Sequence, residues 1–589
     1  MYILQKIVFP NLKIDADKEL YVRSSSDCKE YFSKKKLVFL KIGSSCSFDT
    51  YFNSFTVNVW KNKTVVNNVK LQLEGNGRFL VRIKLHKLHA ETRTLSETEI
   101  SLSKNNSVSI DVAELSSFVE GMLFFELTSL SDNSEITGGC YYTLTPPVRD
   151  VNLGIVVTHF NRKNYVLPAI DRVSSELLED EYYSDNIKLI VVDNSSNITT
   201  AEAKKAIVIP NQNLGGSGGF TRGLLYLQNQ GCFSHCLFMD DDASCEIESI
   251  RRAYALLQYA NVDMFAVAGA QLRELAPFQI HEKGARFDNG KCMALHHTKD
   301  MRDVSSLLLA EFEDISPNYG AWWFFAFAIN DVKKYPFPFF VRGDDMLFSL
   351  QNKFNICTLN GIGVWGEDFF VKESPLTRYL GFRAVNVCDA LMKKNFNKKD
   401  LIKSFSTWYL TSLFSYNYSS AKAIALSLND FLHGVGTFVN DMDASGVRAK
   451  IATLPPIEKM QLINRSDYVL SGRDMHESKI RKVFRFLTIN GLLIPNFLMK
   501  DEIVFQSKHF RANFRQIFIF KKVFYEHEAT RTGYIAKHDK SELVLGIINY
   551  CKGVVSILKK FDDAKKNYLS NEPDLTTKEF WESVYNKGK

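Results

Sequence analysis

Between residues 37 and 144 the chain repeats short apolar runs, several of which alternate apolar with polar positions. The runs fall at 37–42, 55–60, 69–73, 79–85, 108–112, 123–127 and 140–144. Period-two alternation is the mark of half-buried strands, and Gly, Asn and Ser between the runs, as in Glu74-Gly-Asn-Gly77, mark turns. The pattern predicts an all-β module over residues 1–147, a β-sandwich, closed by Pro146-Pro147. Carbohydrate binding and a purely structural or assembly role both suit such a module, because fold alone does not assign function.

The pattern then changes. Apolar strands at 153–157, 187–192, 207–209 and 236–239 alternate with helical stretches and end in polar residues. That order predicts a parallel α/β sheet over residues 148–390, with the strand-end polar residues gathered along one edge. A further strand is expected at 265–270, whereas 271–318 gives no clear period. From 391 to 589 the spacing becomes helical, with candidates at 401–416, 421–439 and 543–561. In the last, Ile547, Cys551, Val554, Leu558 and Phe561 share one face, with Lys552, Lys559 and Lys560 elsewhere. Such a helix packs on its own protein or rests on an anionic membrane surface.

Four stretches carry candidate chemistry. The apolar strand at 236–239 runs into Asp240, Asp241 and Asp242. Adjacent carboxylates repel, so a hard divalent cation such as Mg²⁺ or Mn²⁺, together with substrate phosphates, would stabilise them. The competing reading is a solvated turn in which Asp242 or Ser244 caps the next helix. Upstream, Asn213-Leu-Gly-Gly-Ser-Gly-Gly-Phe-Thr-Arg-Gly223 holds five glycines in nine residues. It fits neither a P-loop nor G-x-G-x-x-G. It suits either an anionic or sugar-bearing ligand held against backbone N–H groups, with Arg222 adding a cation, or a tight strand-to-helix turn. Trp322 and Trp323 are adjacent, so in a strand one faces core while the other can form a sugar-stacking platform. Asp344 and Asp345 open a predicted helix, one placed to cap it and the other to act as general base.

Composition narrows the picture. The chain has 589 residues, 45% hydrophobic and 24% charged, with a net charge of +7. This is ordinary for a folded protein of about three domains and gives no argument for nucleic acid. Ten cysteines without a C-x-x-C pair read as reduced, mostly buried thiols and a cytoplasmic chain, with no metal role for Cys232, His235, Cys236, His281, His296 or His297. The N-terminus lacks a signal-peptide pattern, and the longest apolar-aromatic run, 319–329, is far short of the ~20 residues of a spanning helix.

Taken together, Thr158-His-Phe-Asn-Arg162, the glycine-rich stretch, Phe238-Met-Asp-Asp-Asp242, Tyr319-Gly-Ala-Trp-Trp323 and Asp344-Asp345 resemble inverting family 2 glycosyltransferases of the GT-A (nucleotide-diphospho-sugar transferase) fold. Within that family they resemble bacterial galactofuranosyltransferases that polymerise galactan. The resemblance implies a sandwich, a central transferase domain and a helical C-terminal region. It implies transfer of galactofuranose from UDP-galactofuranose to a hydroxyl of a lipid-linked glycan, in O-antigen or capsule synthesis at the inner face of the cell membrane. Peripheral membrane contact and a homo-oligomer are compatible with it.

Arg162, Asn194, Asn213, Gly215, Gly216, Asp240 and Asp241 would then meet the donor. Asp240 and Asp242 would hold Mn²⁺ or Mg²⁺. Asp345 would be the catalytic base, with Trp322, Trp323 and Asp344 on the acceptor side. Members of the family place a metal-binding His after a Trp in the last strand. Here Trp365 is followed by Gly366, which leaves Glu367, Asp368 or a water as the substitute oxygen ligand. Two other functions fit the same residues: the same fold with UDP-galactopyranose or dTDP-rhamnose as donor, and a non-enzymatic carbohydrate-binding scaffold.

Overall fold

The structure is a computed structural model that describes residues 1–10, 14, 16–31, 35–104, 106–312, 315–468, 470–471, 477–508 and 512–587. The centre is a seven-stranded sheet ordered Ile207–Pro210, Ile187–Asp193, Leu153–His159, His235–Asp240, Phe325–Ala328, Phe265–Ala268, Asn355–Cys357. The first four strands are parallel, and the inner three of them are almost wholly apolar and buried, as strands covered on both faces must be. The chain enters at Leu153–His159 and winds outward on one side through Ile187–Asp193 and Ile207–Pro210. It then crosses back to His235–Asp240 on the other side. The topological switch point therefore lies between His159 and Asp240, where open α/β sheets leave a crevice at their strand ends. The register sets His159 opposite Asp193 and Thr158 opposite Asp240.

The glycine-rich stretch is not a loop. It forms the first turns of the helix Gly215–Gln230. A Cβ on Gly219 would stand 2.2 Å from Thr158 Cγ2, and one on Gly223 2.2 Å from Val156 Cγ1. These glycines let the helix lie directly on the Leu153–His159 strand. Gly215 is required twice, by its φ of +67° and by the carbonyl of Phe340 2.1 Å from where its Cβ would be. Gly219→Val is accordingly expected to cost about 1–3 kcal/mol through overpacking of a site that cannot open, read as a lowered Tm in thermal unfolding.

A four-stranded sheet, Ser244–Cys245, Gly363–Gly366, Ala270–Arg273, Ala276–Glu282, flanks the switch point and includes part of the stretch whose sequence gave no period. The N-terminal module braces it. Phe52 packs on Trp365 (ring centroids 5.9 Å), and Tyr51 donates to the Ile362 carbonyl. The module is strand-rich as expected, apart from the helix Val57–Lys63. Among the described residues its eleven strands are connected through the 19-residue strand Asn68–His86, whose first half pairs with Val108–Glu114 and Ser134–Thr143 and whose second half pairs with Arg93–Leu102 and Met122–Ser129.

The C-terminal region, expected to be helical, holds a sheet as well as helices. Helices Lys398–Phe414, Tyr418–Leu432 and Lys540–Leu575 pack together, but a five-stranded sheet ordered Gln461–Leu462, Thr532–Lys537, Phe520–His527, Lys500–Ser507, Leu470–Ser471 lies among them. Of its longer strands, Lys500–Ser507 alternates burial only in its second half, and Phe520–His527 is buried almost throughout, so neither shows a clean period of two. Residue 390 falls inside the helix Pro375–Met392, so an element boundary lies near 393 rather than there. The helix Lys540–Leu575 is far longer than its apolar pattern suggests. Among the described residues it alone has the length and hydropathy of a candidate membrane span, where the longest run, 319–329, had suggested none. It buries Leu543, Ile557, Phe561 and Tyr568 in the helical core while Val544, Ile548, Val555 and Leu558 face outward.

Candidate functional site

Strand ends build a cleft of about 200 Å³ at the switch point, lined by Arg162, Asp240, Asp241, Asp242, Trp323 and Glu367, together with Gln271, Phe369 and Lys372. Asp240 ends its strand. Asp241 and Asp242 follow in a turn, and the next helix starts at Ile247 with Glu246 at its N-cap, so neither Asp242 nor Ser244 is spent on capping.

The three acids have different surroundings. Asp241 turns back to the sheet, where His159 Nδ1 lies 3.2 Å from its carboxylate and Asn197 Oδ1 lies 3.2 Å from His159 Nε2. Asp242 is clamped from two sides, by Arg162 at 2.5 Å and Lys372 at 3.0 Å. Burial raises its pKa, but Lys372 and Arg162 outweigh that and hold it below the usual carboxylate range. Asp240 is the uneasy member. Burial, then the charges of Asp242, Asp241 and Asp344, push its carboxyl well above that range. A cation is what such a group lacks.

Lys372 also reaches Glu367 at 3.2 Å, placing Glu367 in the cleft. Asp368 is not a candidate ligand in this arrangement. It faces away, gripped by Arg273 at 2.8 and 2.6 Å and approached by His527 Nε2 at 3.2 Å. Among the described residues no three His, Cys, Asp or Glu side chains are preassembled around one ion. Asp240, Asp242 and Glu367 nonetheless supply the hard oxygen donors that Mg²⁺ or Mn²⁺ takes, with substrate phosphate and water completing the shell. The residues present therefore fit a divalent cation that arrives with its ligand.

The tryptophan pair lies in a turn before the strand Phe325–Ala328, not in a strand, and both rings are buried. Trp323 donates to the Gly269 carbonyl (2.9 Å) and lines the cleft beside Phe369. Trp322 is not on the acceptor side. It is buried between Phe220, Phe238 and Phe348, because the aromatic core behind the sheet claims its face of the chain. The glycine helix is likewise less open than expected. Gly215 N–H donates to Asn213 Oδ1 and Ser217 N–H to the Phe340 carbonyl, so these donors are already engaged and Gly215 is buried under protein. Gly216 is small because Asp344 Oδ2 would lie 2.9 Å from its Cβ. Asn194 is buried behind the cleft and accepts from Asn211. Arg222 stacks on Tyr585 (5.0 Å) and serves the fold, not the cleft.

Asp344 and Asp345 form the first turn of the helix Asp344–Asn352, with Gly343 at the N-cap, so neither caps it. The approach is strained: Phe340 and Arg342 hold φ values of 75° and 67°, a left-handed conformation that costs of order 1–3 kcal/mol each. Asp344 accepts from Ser217 and adds its charge to Asp240. The charge of Asp345 acts on the buried Glu282, and that of the Arg342 guanidinium acts on Asp345. Burial raises both aspartates, Asp344 further because Asp345 repels it; backbone N–H groups and Arg342 pull Asp345 back. His159 and Lys372 are the contributors sequence reasoning did not single out. His159 could be found as a polar residue ending the strand beside Asp240's, whereas Lys372, in a loop, carries no sequence signal.

Residues 4–143 match the family model described as galactofuranosyltransferase 2 N-terminal, and residues 154–278 match glycosyl transferase family 2. The galactofuranosyltransferase GlfT2 of Mycolicibacterium smegmatis is 24% identical over 519 residues, 81% of this chain and 78% of that one. The Mycobacterium tuberculosis GlfT2 is 22% identical over 633 residues, 99% and 97% of the two chains. A crystal structure of GalNAc-T7 with UDP, GalNAc and Mn²⁺ is 12% identical and covers 45% of this chain and 52% of its own, at a TM-score of 0.32, too distant to carry an argument. The chain thus carries a family 2 glycosyltransferase domain behind a galactofuranosyltransferase 2 N-terminal domain, and these two relatives are galactofuranosyltransferases.

Proposed function

We propose that the protein transfers galactofuranose from UDP-galactofuranose to a hydroxyl of a glycan acceptor, with inversion, in the assembly of a bacterial surface polysaccharide carried on a lipid. The observation that carries this reading is the switch-point cleft, where Asp240, Asp242 and Glu367 sit with two cations, Arg162 and Lys372, beside an aromatic wall. Carboxylates for a metal and cations for phosphate oxygens are the two halves of a diphosphate site. Asp240, Asp242 and Glu367 would hold a Mn²⁺ or Mg²⁺, which would supply neutralisation of the leaving diphosphate.

Arg162 and Lys372 add their charges to the same oxygens. Trp323 offers a ring against which a sugar packs its C–H face. Asp345 removes the proton from the acceptor hydroxyl as that oxygen attacks the anomeric carbon. The carbon–oxygen bond to the diphosphate breaks, and UDP leaves with the electron pair. Attack from the face opposite UDP converts the α donor into a β product.

The test is product analysis with UDP-galactofuranose and a synthetic galactoside acceptor, with and without chelator. A β-galactofuranosyl product that disappears with chelator and returns with Mn²⁺ is expected. UDP release from UDP-galactopyranose or dTDP-rhamnose, and none from UDP-galactofuranose, would overturn the donor assignment. No turnover with any donor, alongside glycan binding, would leave a carbohydrate-binding scaffold.

A further inference from the structure

The loop between the strand Gly363–Gly366 and the helix Pro375–Met392 carries Glu367, Phe369 and Lys372 into the cleft. Two other carboxylates on the same loop turn away from it. Asp368 is buried and held by Arg273, at the end of the strand Ala270–Arg273. Glu373 is held by Arg378, on the helix Pro375–Met392, at 3.3 Å. The transferase domain thus neutralises both acids from its own elements.

Each acid nevertheless has a second partner, and both come from the C-terminal region. His527 Nε2 lies 3.2 Å from Asp368, and Lys508 Nζ donates to Glu373 at 3.1 Å. Both partners are buried. They also stand side by side. Lys500–Ser507 and Phe520–His527 are parallel neighbours with Ser507 opposite Glu526, and the Lys508 N–H donates to the Glu526 carbonyl. Thr530 Oγ1, 2.9 Å from His527 Nδ1, fixes the ring. One end of the C-terminal sheet therefore presents two polar groups to two acids that bracket Phe369 and Lys372.

Neutralisation does not call for this arrangement, because the two arginines provide it. Position does. A buried polar contact holds one geometry where apolar surfaces tolerate several. Glu367 has 43% of its side chain exposed, so little packing of its own holds it. Its neighbour Asp368 is the nearest fixed point of the loop. We propose that His527 and Lys508 are positioning residues for the transfer reaction: the end of the C-terminal sheet clamps Asp368 and Glu373, and so sets Glu367 at the metal position. This rests on the reading of Glu367 as the third oxygen donor.

The test is Mn²⁺ affinity of the full chain in the presence of UDP, measured by calorimetry, with donor KM and kcat read alongside. His527→Ala and Lys508→Met, singly and together, are expected to weaken Mn²⁺ binding by about tenfold or more, as loss of a group that orients metal ligands does. Each acid keeps its arginine in these variants, so no buried charge is stranded. His527→Gln, whose amide nitrogen can stand where Nε2 does, and Lys508→Arg are expected to keep near wild-type affinity. In a Glu367→Gln background the Ala and Met substitutions are expected to change Mn²⁺ affinity no further, because the positioned group is gone. Unchanged Mn²⁺ affinity in His527→Ala and Lys508→Met overturns the proposal. So does equal weakening in the Glu367→Gln background, or weakening that Gln and Arg do not prevent, either of which makes the contacts structural only. Glu367→Gln alone with wild-type Mn²⁺ affinity fails differently: it removes Glu367 from the metal, and the clamp's role falls with that reading of the site.

Discussion

Asp345→Asn is expected to lower turnover by about 10²–10⁴-fold, the range a positioned general base contributes, while UDP affinity measured by calorimetry stays at the wild-type level. The two readouts separate because Asp345 is not among the residues lining the cleft where the diphosphate cations lie. The pH dependence makes the expectation sharper. Burial pushes the Asp345 carboxyl up to about 6, against the pull of the Met346 N–H and Arg342. A base must be ionised to act, so its contribution is complete above that value and is lost as pH falls through it. The rate should drop about tenfold for each pH unit below 6. In the Asn variant that acidic limb should vanish from the residual activity. Because Asp344 and Asp345 interact, the limb reports the pair. Full turnover by the Asn variant would move the base elsewhere, and the buried Glu282 beside it would be the residue to test next.

The central sheet and the acids at its edge were legible because each strand is an uninterrupted apolar run ending in polar residues, and Asp240 falls where such a run stops. The consequence of strand order was not legible. Nothing in the sequence says that His235–Asp240 pairs with Leu153–His159, yet that pairing brings His159 to Asp241 and Arg162 to Asp242. The glycine stretch shows why motif reading fell short. Five glycines can mean ligand approach or helix-on-strand packing, and only the 2.2 Å positions against Thr158 and Val156 decide for packing at Gly219 and Gly223. Both tryptophans are buried, and their adjacency did not tell which would border the cleft. Glu367 and Asp368 were equal candidates until Arg273 claimed one of them. The sheet of the C-terminal region stayed hidden because two of its strands have only two residues, and Phe520–His527 is buried almost throughout instead of alternating.

Lys372→Met is expected to move metal and nucleotide affinities in opposite directions. Lys372 neutralises Asp242 and Glu367 at 3.0 and 3.2 Å, and its own pKa, lowered by burial, is carried back above normal by Asp242. Before any ligand arrives, the ammonium therefore occupies carboxylate oxygens that a divalent cation needs. Removing it frees Glu367 and leaves Asp242 to Arg162 alone, and should strengthen Mn²⁺ binding to the unliganded protein, measured by calorimetry. UDP should bind about 10- to 100-fold more weakly, since a hydrogen bond to a charged group contributes about 1.5–3 kcal/mol and phosphate oxygens lose one of two cations. Asp242→Asn makes the complementary case. It removes a metal ligand and leaves Arg162 and Lys372 without their shared counter-ion, so Mn²⁺ affinity should fall. Weaker Mn²⁺ binding in Lys372→Met would mean that the lysine only holds the 367–374 loop in place. Unchanged UDP affinity would remove it from the diphosphate site altogether. Opposite shifts would establish that Lys372 guards the acids until the diphosphate draws it away, which is how a site without a preassembled ion cage can still take its metal together with the donor.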